Sequence, residues 1–106
     1  MLAFVSHIRE WAESHPEIVE VWIIGSQAKG TATPNSDLDL TVELEPRPGD
    51  SGEDVLLVLN RAKWAAELAE LLGMRVKDIQ GENVPADPCY GEGRRTGISV
   101  FKRQHR

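Results

Sequence analysis

Two aspartates, Asp37 and Asp39, alternate with apolar residues in the segment SDLDLTVEL. Side chains alternate along a β-strand, so both carboxylates project from one face, about 7 Å apart at the backbone. Two like charges held this close together are costly unless a cation lies between them. Mg²⁺ suits such a pair, because it commonly takes one or two carboxylates together with phosphate oxygens and water. The spacing therefore predicts a divalent-metal site, and the alternative is a strand whose polar face simply meets solvent.

A Gly-Ser pair, Gly25 and Ser26, follows the apolar run VWII and precedes the aspartates. Glycine lets the backbone approach a ligand closely, and amides at the start of a short helix in SQAKG would face an anion. We expect Ser26 to donate its hydroxyl to a phosphate oxygen and Lys29 to add a positive charge one turn later. The simpler interpretations are a helix N-cap for Ser26 and an ordinary surface lysine for Lys29.

The elements that would position these residues follow from hydrophobic periodicity and turn signals. The predicted elements are a helix over residues 2–14, a buried strand over 19–24, a short helix closed by Gly30, a strand over 37–43, a long helix ended by Gly73, and strands in MRVKDI and GISVFK. The segment GENVPADPCYGEG is predicted to be a loop. This order predicts an α/β (α+β) fold, a small mixed sheet with helices packed mainly on one face and the strand near Val21 in its centre.

The long helix is predicted to pack through one apolar face. The residues assigned to that face are Val55, Val58, Leu59, Ala62, Ala66, Ala69 and Leu72. They recur at the three- and four-residue spacing of an amphipathic helix.

The composition is that of a globular protein. The 106 residues are 41% hydrophobic and 27% charged, which fits a single domain over residues 1–106 rather than a disordered chain. No apolar run approaches the roughly 20 residues of a membrane helix, and acids interrupt the apolar N-terminus, unlike in a signal peptide. Cys89 is the single cysteine, so no internal disulfide forms, which suits a reducing cytoplasm.

The net charge of −5 argues against a protein that coats nucleic acid over its whole surface. Residues 89–106 nevertheless carry 5 bases and 1 acid. The bases are Arg94, Arg95, Lys102, Arg103 and Arg106. A solvated basic tail is the simpler interpretation, and a phosphate, nucleic-acid or partner contact made by this tail is the sharper one.

The segment IIGSQAKGTATPNSDLDL closely resembles the signature of the nucleotidyltransferase superfamily, an apolar strand, Gly-Ser, about ten residues, then Asp-apolar-Asp-apolar. Ala28 and Gly30, and Ser36 before the first aspartate, agree with the pattern. The length resembles the minimal nucleotidyltransferase domains, which have a DNA polymerase beta-like fold.

The resemblance implies that a nucleoside monophosphate is transferred from an NTP to a hydroxyl while pyrophosphate leaves. It implies that Gly25 and Ser26, with Lys29 and Ser36, bind the NTP, for which ATP is expected. Asp37 and Asp39 would then hold Mg²⁺ or Mn²⁺.

The resemblance further implies a third acid on the next strand, serving as metal ligand and base. In RVKDIQ, alignment from LLG without a gap places Lys77 at that position and Asp78 one residue later, on the opposite face. A β-bulge would return Asp78 to the site, and Glu82 is a more distant substitute. Asp78 is therefore included among the catalytic residues. If neither acid reaches the metals, the domain binds nucleotide but catalyses poorly.

The resemblance also implies a partner protein, because minimal nucleotidyltransferases often look like antitoxin partners of helical HEPN-type ribonucleases. The acceptor hydroxyl would then lie on the partner, or the domain would bind the partner without transferring a nucleotide. Transfer to a small molecule such as an aminoglycoside is less favoured, because those enzymes carry an additional substrate domain.

Overall fold

A computed structural model describes residues 4–33, 36–49 and 52–104. In chain order the elements are α1 (Val5–Glu13), β1 (Ile18–Ile24), α2 (Ser26–Lys29), β2 (Leu38–Leu44), α3 (Glu53–Leu72), β3 (Val76–Gly81), α4 (Glu92–Thr96) and β4 (Ile98–Lys102). Seven of these elements match the predicted order and type. The eighth element, α4, was not predicted. It begins within the last residues of the predicted loop GENVPADPCYGEG and extends beyond it.

The four strands form one mixed sheet in the order β3-β2-β1-β4. β1 pairs antiparallel with both β2 and β4, whereas β2 and β3 run parallel and are joined through α3. β1 lies inside the sheet, as predicted, and all seven of its residues are buried. This topology brings the end of β1 and the starts of β2 and β3 to the same end of the sheet.

One face of the sheet carries the hydrophobic core. Leu38, Leu40 and Val42 of β2 are fully buried there and belong to the same cluster as the buried residues of α1 and α3. The two helices also contact each other, since the rings of Trp11 and Trp64 meet edge to face with centroids 6.1 Å apart. The prediction that the helices pack mainly on one face is confirmed.

The prediction of which face of α3 packs on the core is wrong. Its buried residues are Leu57, Trp64 and Leu68, whereas Val58 and Leu59 are exposed. The start of α3 is apolar on several sides, so periodicity alone did not distinguish the face, and the larger side chains bury more apolar area than the alanines. None of the helices in the described residues has the length and apolar character needed to cross a membrane.

The short helix α4 covers part of the opposite face of the sheet. A methyl group at Gly93 would lie 2.6 Å from Oγ1 of Thr41 and equally close to the ring of Trp22, so α4 packs directly on β1 and β2. Thr41 is fully buried as a result, although it shares its side of the strand with Asp39. The loop prediction for this segment failed because a five-residue helix leaves no hydrophobic period to detect.

Candidate functional site

Gly25 and Asp39 meet where β1 ends and β2 begins. Ile24 pairs with Asp39 in the antiparallel register, which places the next residue of the chain beside the carboxylate. Gly25 has φ 73° and ψ −150°, and a methyl group there would lie 3.0 Å from Oδ2 of Asp39. Only glycine adopts this backbone conformation readily. The Gly-Ser turn and one of the two predicted metal ligands therefore lie in direct proximity, although they are separate in sequence.

The turn leads into the single-turn helix α2. The carbonyl oxygen of Gly25 accepts hydrogen bonds from the amides of Ala28 and Lys29, both at 3.1 Å. Gly25 occupies the N-cap position and Ser26 is the first helical residue, so the interpretation of Ser26 as the N-cap is wrong by one position. Lys29 is exposed. Hydrogen bonds within α4 lower the pKa of Glu92, and the charge of Lys29 lowers it further, which places the Lys29 charge near α4.

Asp37 lies immediately before β2 and is paired with Arg75. Arg75 Nε lies 3.2 Å from Oδ1 of Asp37, but the Arg75 side chain is 86% exposed. A pair in which one partner is so exposed is weak and exchanges readily with solvent. Asp37 is therefore available to a ligand at little cost.

The pKa of Asp39 is raised above its ordinary value. Burial raises its pKa, the charge of Lys77 opposes that shift, and the charges of Asp37 and Asp78 add to it. Asp37 and Asp78 are thus both close enough to Asp39 to repel its charge. Repulsion between clustered carboxylates is relieved by a cation or by a proton.

Ser36 has a local role in the described structure. Its hydroxyl oxygen accepts a hydrogen bond from the amide of Thr33 at 2.9 Å, and its own amide donates to the carbonyl of Thr33. Ser36 is thus tied to Thr33 immediately before Asp37 and β2.

Asp78 lies directly opposite Asp39 in the parallel pairing of β2 with β3. Leu38 pairs with Val76, and the next residue, Asp39, pairs with Asp78, so Lys77 is an extra residue in β3. This extra residue is the β-bulge that the sequence allowed but did not require. It turns Asp78 toward the face of the sheet that carries Asp39. Lys77 is exposed, and its charge still reaches Asp39.

Arg61 of α3 was not identified from the sequence and contacts Asp78 directly. Its Nε and Nη2 atoms donate to the two carboxylate oxygens of Asp78, each at 3.3 Å. Arg61 shares the buried face of α3 with Leu57 and Trp64, four and three residues away. A basic residue within an apolar helix face is the signal that would have indicated it, and the wrong face assignment concealed that signal.

Glu82 does not belong to this site. Its fully buried carboxylate accepts hydrogen bonds from the amides of Gly93 at 2.8 Å and Arg94 at 3.1 Å, at the start of α4. Glu82 therefore holds α4 on the sheet and does not substitute for the third acid.

The donor set suits a hard cation but is incomplete in this arrangement. Asp37 and Asp39 offer carboxylate oxygens, the ligands that Mg²⁺ and Mn²⁺ prefer. In the part of the chain that the structure describes, no three acidic, histidine or cysteine side chains converge closely enough to hold a metal ion by themselves. A protein nevertheless usually supplies only one or two carboxylates to a Mg²⁺ ion, and phosphate oxygens of the substrate and water supply the other ligands.

Comparison with known proteins identifies the same family that the sequence motif resembles. The model for the nucleotidyltransferase domain matches residues 5–103. A crystal structure of a toxin-antitoxin with AMP-PNP has a TM-score of 0.69 at 22% identity, covering 94% of this chain and 74% of that chain. A toxin-antitoxin MntA-HpeT mutant, with two aspartates replaced by glutamate, has a TM-score of 0.66 at 18% identity with the same coverage. Among curated proteins the search finds no match.

Proposed function

Because this chain belongs to the nucleotidyltransferase domain family, we propose that it transfers a nucleoside monophosphate from an NTP to a hydroxyl acceptor. The observation that carries the proposal is the packing of Gly25 against the Asp39 carboxylate. A turn suited to phosphate and an acid suited to a cation share one end of the sheet, which is what a metal–triphosphate substrate requires.

In this proposal the triphosphate lies against Gly25 and Ser26. The absence of a side chain at Gly25 lets phosphate approach the backbone, and the hydroxyl of Ser26 donates to a phosphate oxygen. Lys29 contributes positive charge from the exposed end of α2, and Ser36 orients the segment that enters Asp37. The AMP-PNP in the first structural neighbour supports ATP as the donor.

Asp37 and Asp39 would hold Mg²⁺ or Mn²⁺. The raised pKa of Asp39, caused first by burial and increased by the neighbouring acids, indicates a carboxylate that gains from a cation. When bound, the metal neutralises phosphate charge and organises the triphosphate. In the second neighbour the two replaced aspartates are separated by one residue, the same spacing as Asp37 and Asp39.

The reaction forms one bond and breaks one. The acceptor oxygen bonds to the α-phosphorus, the bond from that phosphorus to the α–β bridging oxygen breaks, and pyrophosphate leaves with the electron pair. The hydroxyl proton passes to a base, which we assign to Asp78 because it lies opposite Asp39. Acceleration comes from positioning and charge neutralisation rather than from a covalent intermediate.

A second candidate function is binding to a partner protein with little or no catalysis. The observation that favours it is the engagement of Asp78 by Arg61, which occupies the proposed base. The two crystal structures compared above are toxin-antitoxin structures, which supports a partner protein. We propose that this partner is of the helical HEPN type and serves as acceptor or as target. The free Cys89 fits a cytoplasmic setting for such a pair.

Labelling with ATP that carries ³²P at the α-phosphate tests the first function. Wild type, Asp39→Asn and Glu43→Gln would be incubated with Mg²⁺ or Mn²⁺ and with lysate proteins as acceptors. Glu43 is a matched control, because it is an acid on the same side of β2 that pairs with Arg94. Transfer by wild type and Glu43→Gln but not by Asp39→Asn supports the proposal, and equal labelling by all three removes Asp39 from the mechanism.

Pull-down from the native source separates the two functions. A stoichiometric helical partner that is retained by Asp37→Asn, without any transfer by wild type, favours binding alone. Label found on that partner only with wild type favours transfer to the partner.

A further inference from the structure

We propose that Arg61 is a positioning residue that withholds Asp78 from the cation site, so that release of Asp78 adds a third carboxylate to Asp37 and Asp39. The inference rests on the proposed function, because it concerns the same metal site. It concerns a residue of α3 that no part of the sequence motif includes.

The Asp78 side chain is 39% exposed, but both of its carboxylate oxygens accept hydrogen bonds from donors of this chain. A carboxylate has about four lone-pair directions, and four donors already contact Asp78. Oδ1 accepts from the amide of Ile79 at 2.8 Å and from Arg61 Nε at 3.3 Å. Oδ2 accepts from Gln80 Nε2 at 3.1 Å and from Arg61 Nη2 at 3.3 Å. A cation or an acceptor proton must therefore compete with these donors for Asp78.

Arg61 is the donor on which this arrangement depends. It supplies two of the four contacts, and its positive charge opposes the approach of a second cation to the same carboxylate. The other two donors, a backbone amide and a neutral amide side chain, carry no such repulsion. Loss of the Arg61 contacts would leave one position open on each oxygen.

Arg61 also contacts two residues other than Asp78, namely Gln80 and Asp87. Its Nη2 atom also donates to Gln80 Oε1 at 2.9 Å and lies 3.5 Å from Asp87 Oδ2. The Asp87 side chain is 2% exposed and is itself held by the amides of Gly81 at 3.0 Å and Cys89 at 2.8 Å. Arg61 therefore has a buried acid and Gln80 as further partners, which restrict its side chain more than contact with solvent alone would.

The neighbouring pair of Asp37 with Arg75 provides the comparison. Arg75 also contacts a proposed metal ligand and carries the same charge, but its side chain is 86% exposed, against 32% for Arg61. If Arg61 acted only through its charge near the site, the two arginines would have similar effects. If it acts by holding Asp78, the effect of Arg61 is larger and requires Asp78.

The test measures Mn²⁺ binding without nucleotide, by electron paramagnetic resonance of the free ion. Arg61→Gln is expected to bind Mn²⁺ roughly tenfold more tightly than wild type, and Arg75→Gln is expected to show a much smaller change. Addition of Asp78→Asn to Arg61→Gln is expected to abolish the gain, a coupling that a purely structural role of Arg61 would not produce.

Arg61→Lys guards against a folding defect in Arg61→Gln. It keeps the charge but loses the two-pronged contact, so the proposal expects Mn²⁺ binding between those of wild type and Arg61→Gln. The proposal is overturned if Arg61→Gln and Arg75→Gln bind Mn²⁺ equally more tightly than wild type and Arg61→Lys binds it like wild type. In that case the proposed function still stands if Mn²⁺ binding by wild type depends on Asp39. If wild type and all variants fail to bind Mn²⁺ without nucleotide, the inference about Arg61 fails. The same titration with ATP present then tests the proposed function separately, because phosphate oxygens complete the metal site.

Discussion

Gly25 and Asp39 pack together so closely that a methyl group at position 25 would lie 3.0 Å from a carboxylate oxygen of Asp39. The contact is the point at which the predicted phosphate turn meets the predicted metal ligand. It follows from the register of β1 with β2, in which Ile24 pairs with Asp39.

Gly25→Ala is expected to reduce both stability and nucleotide binding. The φ of 73° with ψ of −150° is strained for any L-residue, and the methyl group would press on Asp39, so we expect a loss of about 2 kcal/mol or more. Gly30→Ala is the matched control, because Gly30 has the same φ but open space around it, and about 1 kcal/mol is expected there. Urea denaturation and calorimetry with ATP measure the two effects, and equal losses in both variants would contradict the close contact.

Asp39→Asn is expected to stabilise the fold at neutral pH. Burial raises the pKa of Asp39 above its ordinary value of 3.8, so the folded state holds this proton more tightly than the unfolded state does. The free energy of unfolding therefore falls as pH rises from about 3.8 through the folded-state pKa. Asparagine removes that loss, so its advantage over wild type should be present at neutral pH and shrink toward about pH 4. Denaturation at several pH values measures it, and a variant less stable than wild type at neutral pH would contradict it.

Glu82→Ala is expected to cost about 2–3 kcal/mol. It leaves the buried amide of Gly93 and the partly buried amide of Arg94, both at the start of α4, without the acceptor they now have. Faster hydrogen exchange should appear first at these two amides. Glu92→Ala serves as the control, since Glu92 contacts exposed partners within the same helix. Similar exchange rates in the two variants would show that Glu82 does not hold α4.

Leu57→Ala and Leu59→Ala test the packing face of α3. Leu57 is 2% exposed and Leu59 is 74% exposed. Truncation of the buried leucine is expected to cost about 2–5 kcal/mol, and truncation of the exposed one should stay within about 0.5 kcal/mol. Thermal and urea unfolding of both variants provides the comparison. A larger loss at Leu59 would restore the face that periodicity predicted.

The type of most elements was predictable because local patterns determine it. Alternation in LDLTVEL indicated the strand that carries Asp39, and the apolar run near Val21 indicated a strand buried inside the sheet. The face of α3 and the helix α4 were not predictable in this way. A helix with apolar residues on several sides has no single preferred face until it meets a sheet, and α4 depends on an acceptor from Glu82, which is distant in sequence.

The sequence by itself determined the ingredients of the site, a Gly-Ser turn after a buried strand and two aspartates on one side of the next, because turn chemistry and strand alternation are local properties. Only the tertiary structure decided whether Asp78 or Lys77 faces Asp39. That outcome depends on the bulge at Lys77 in the pairing of β2 with β3. The tertiary structure also decided that Arg61 forms an ion pair with Asp78. Strand register and helix docking join residues far apart in the chain, so packing of the whole fold sets them and no short segment encodes them.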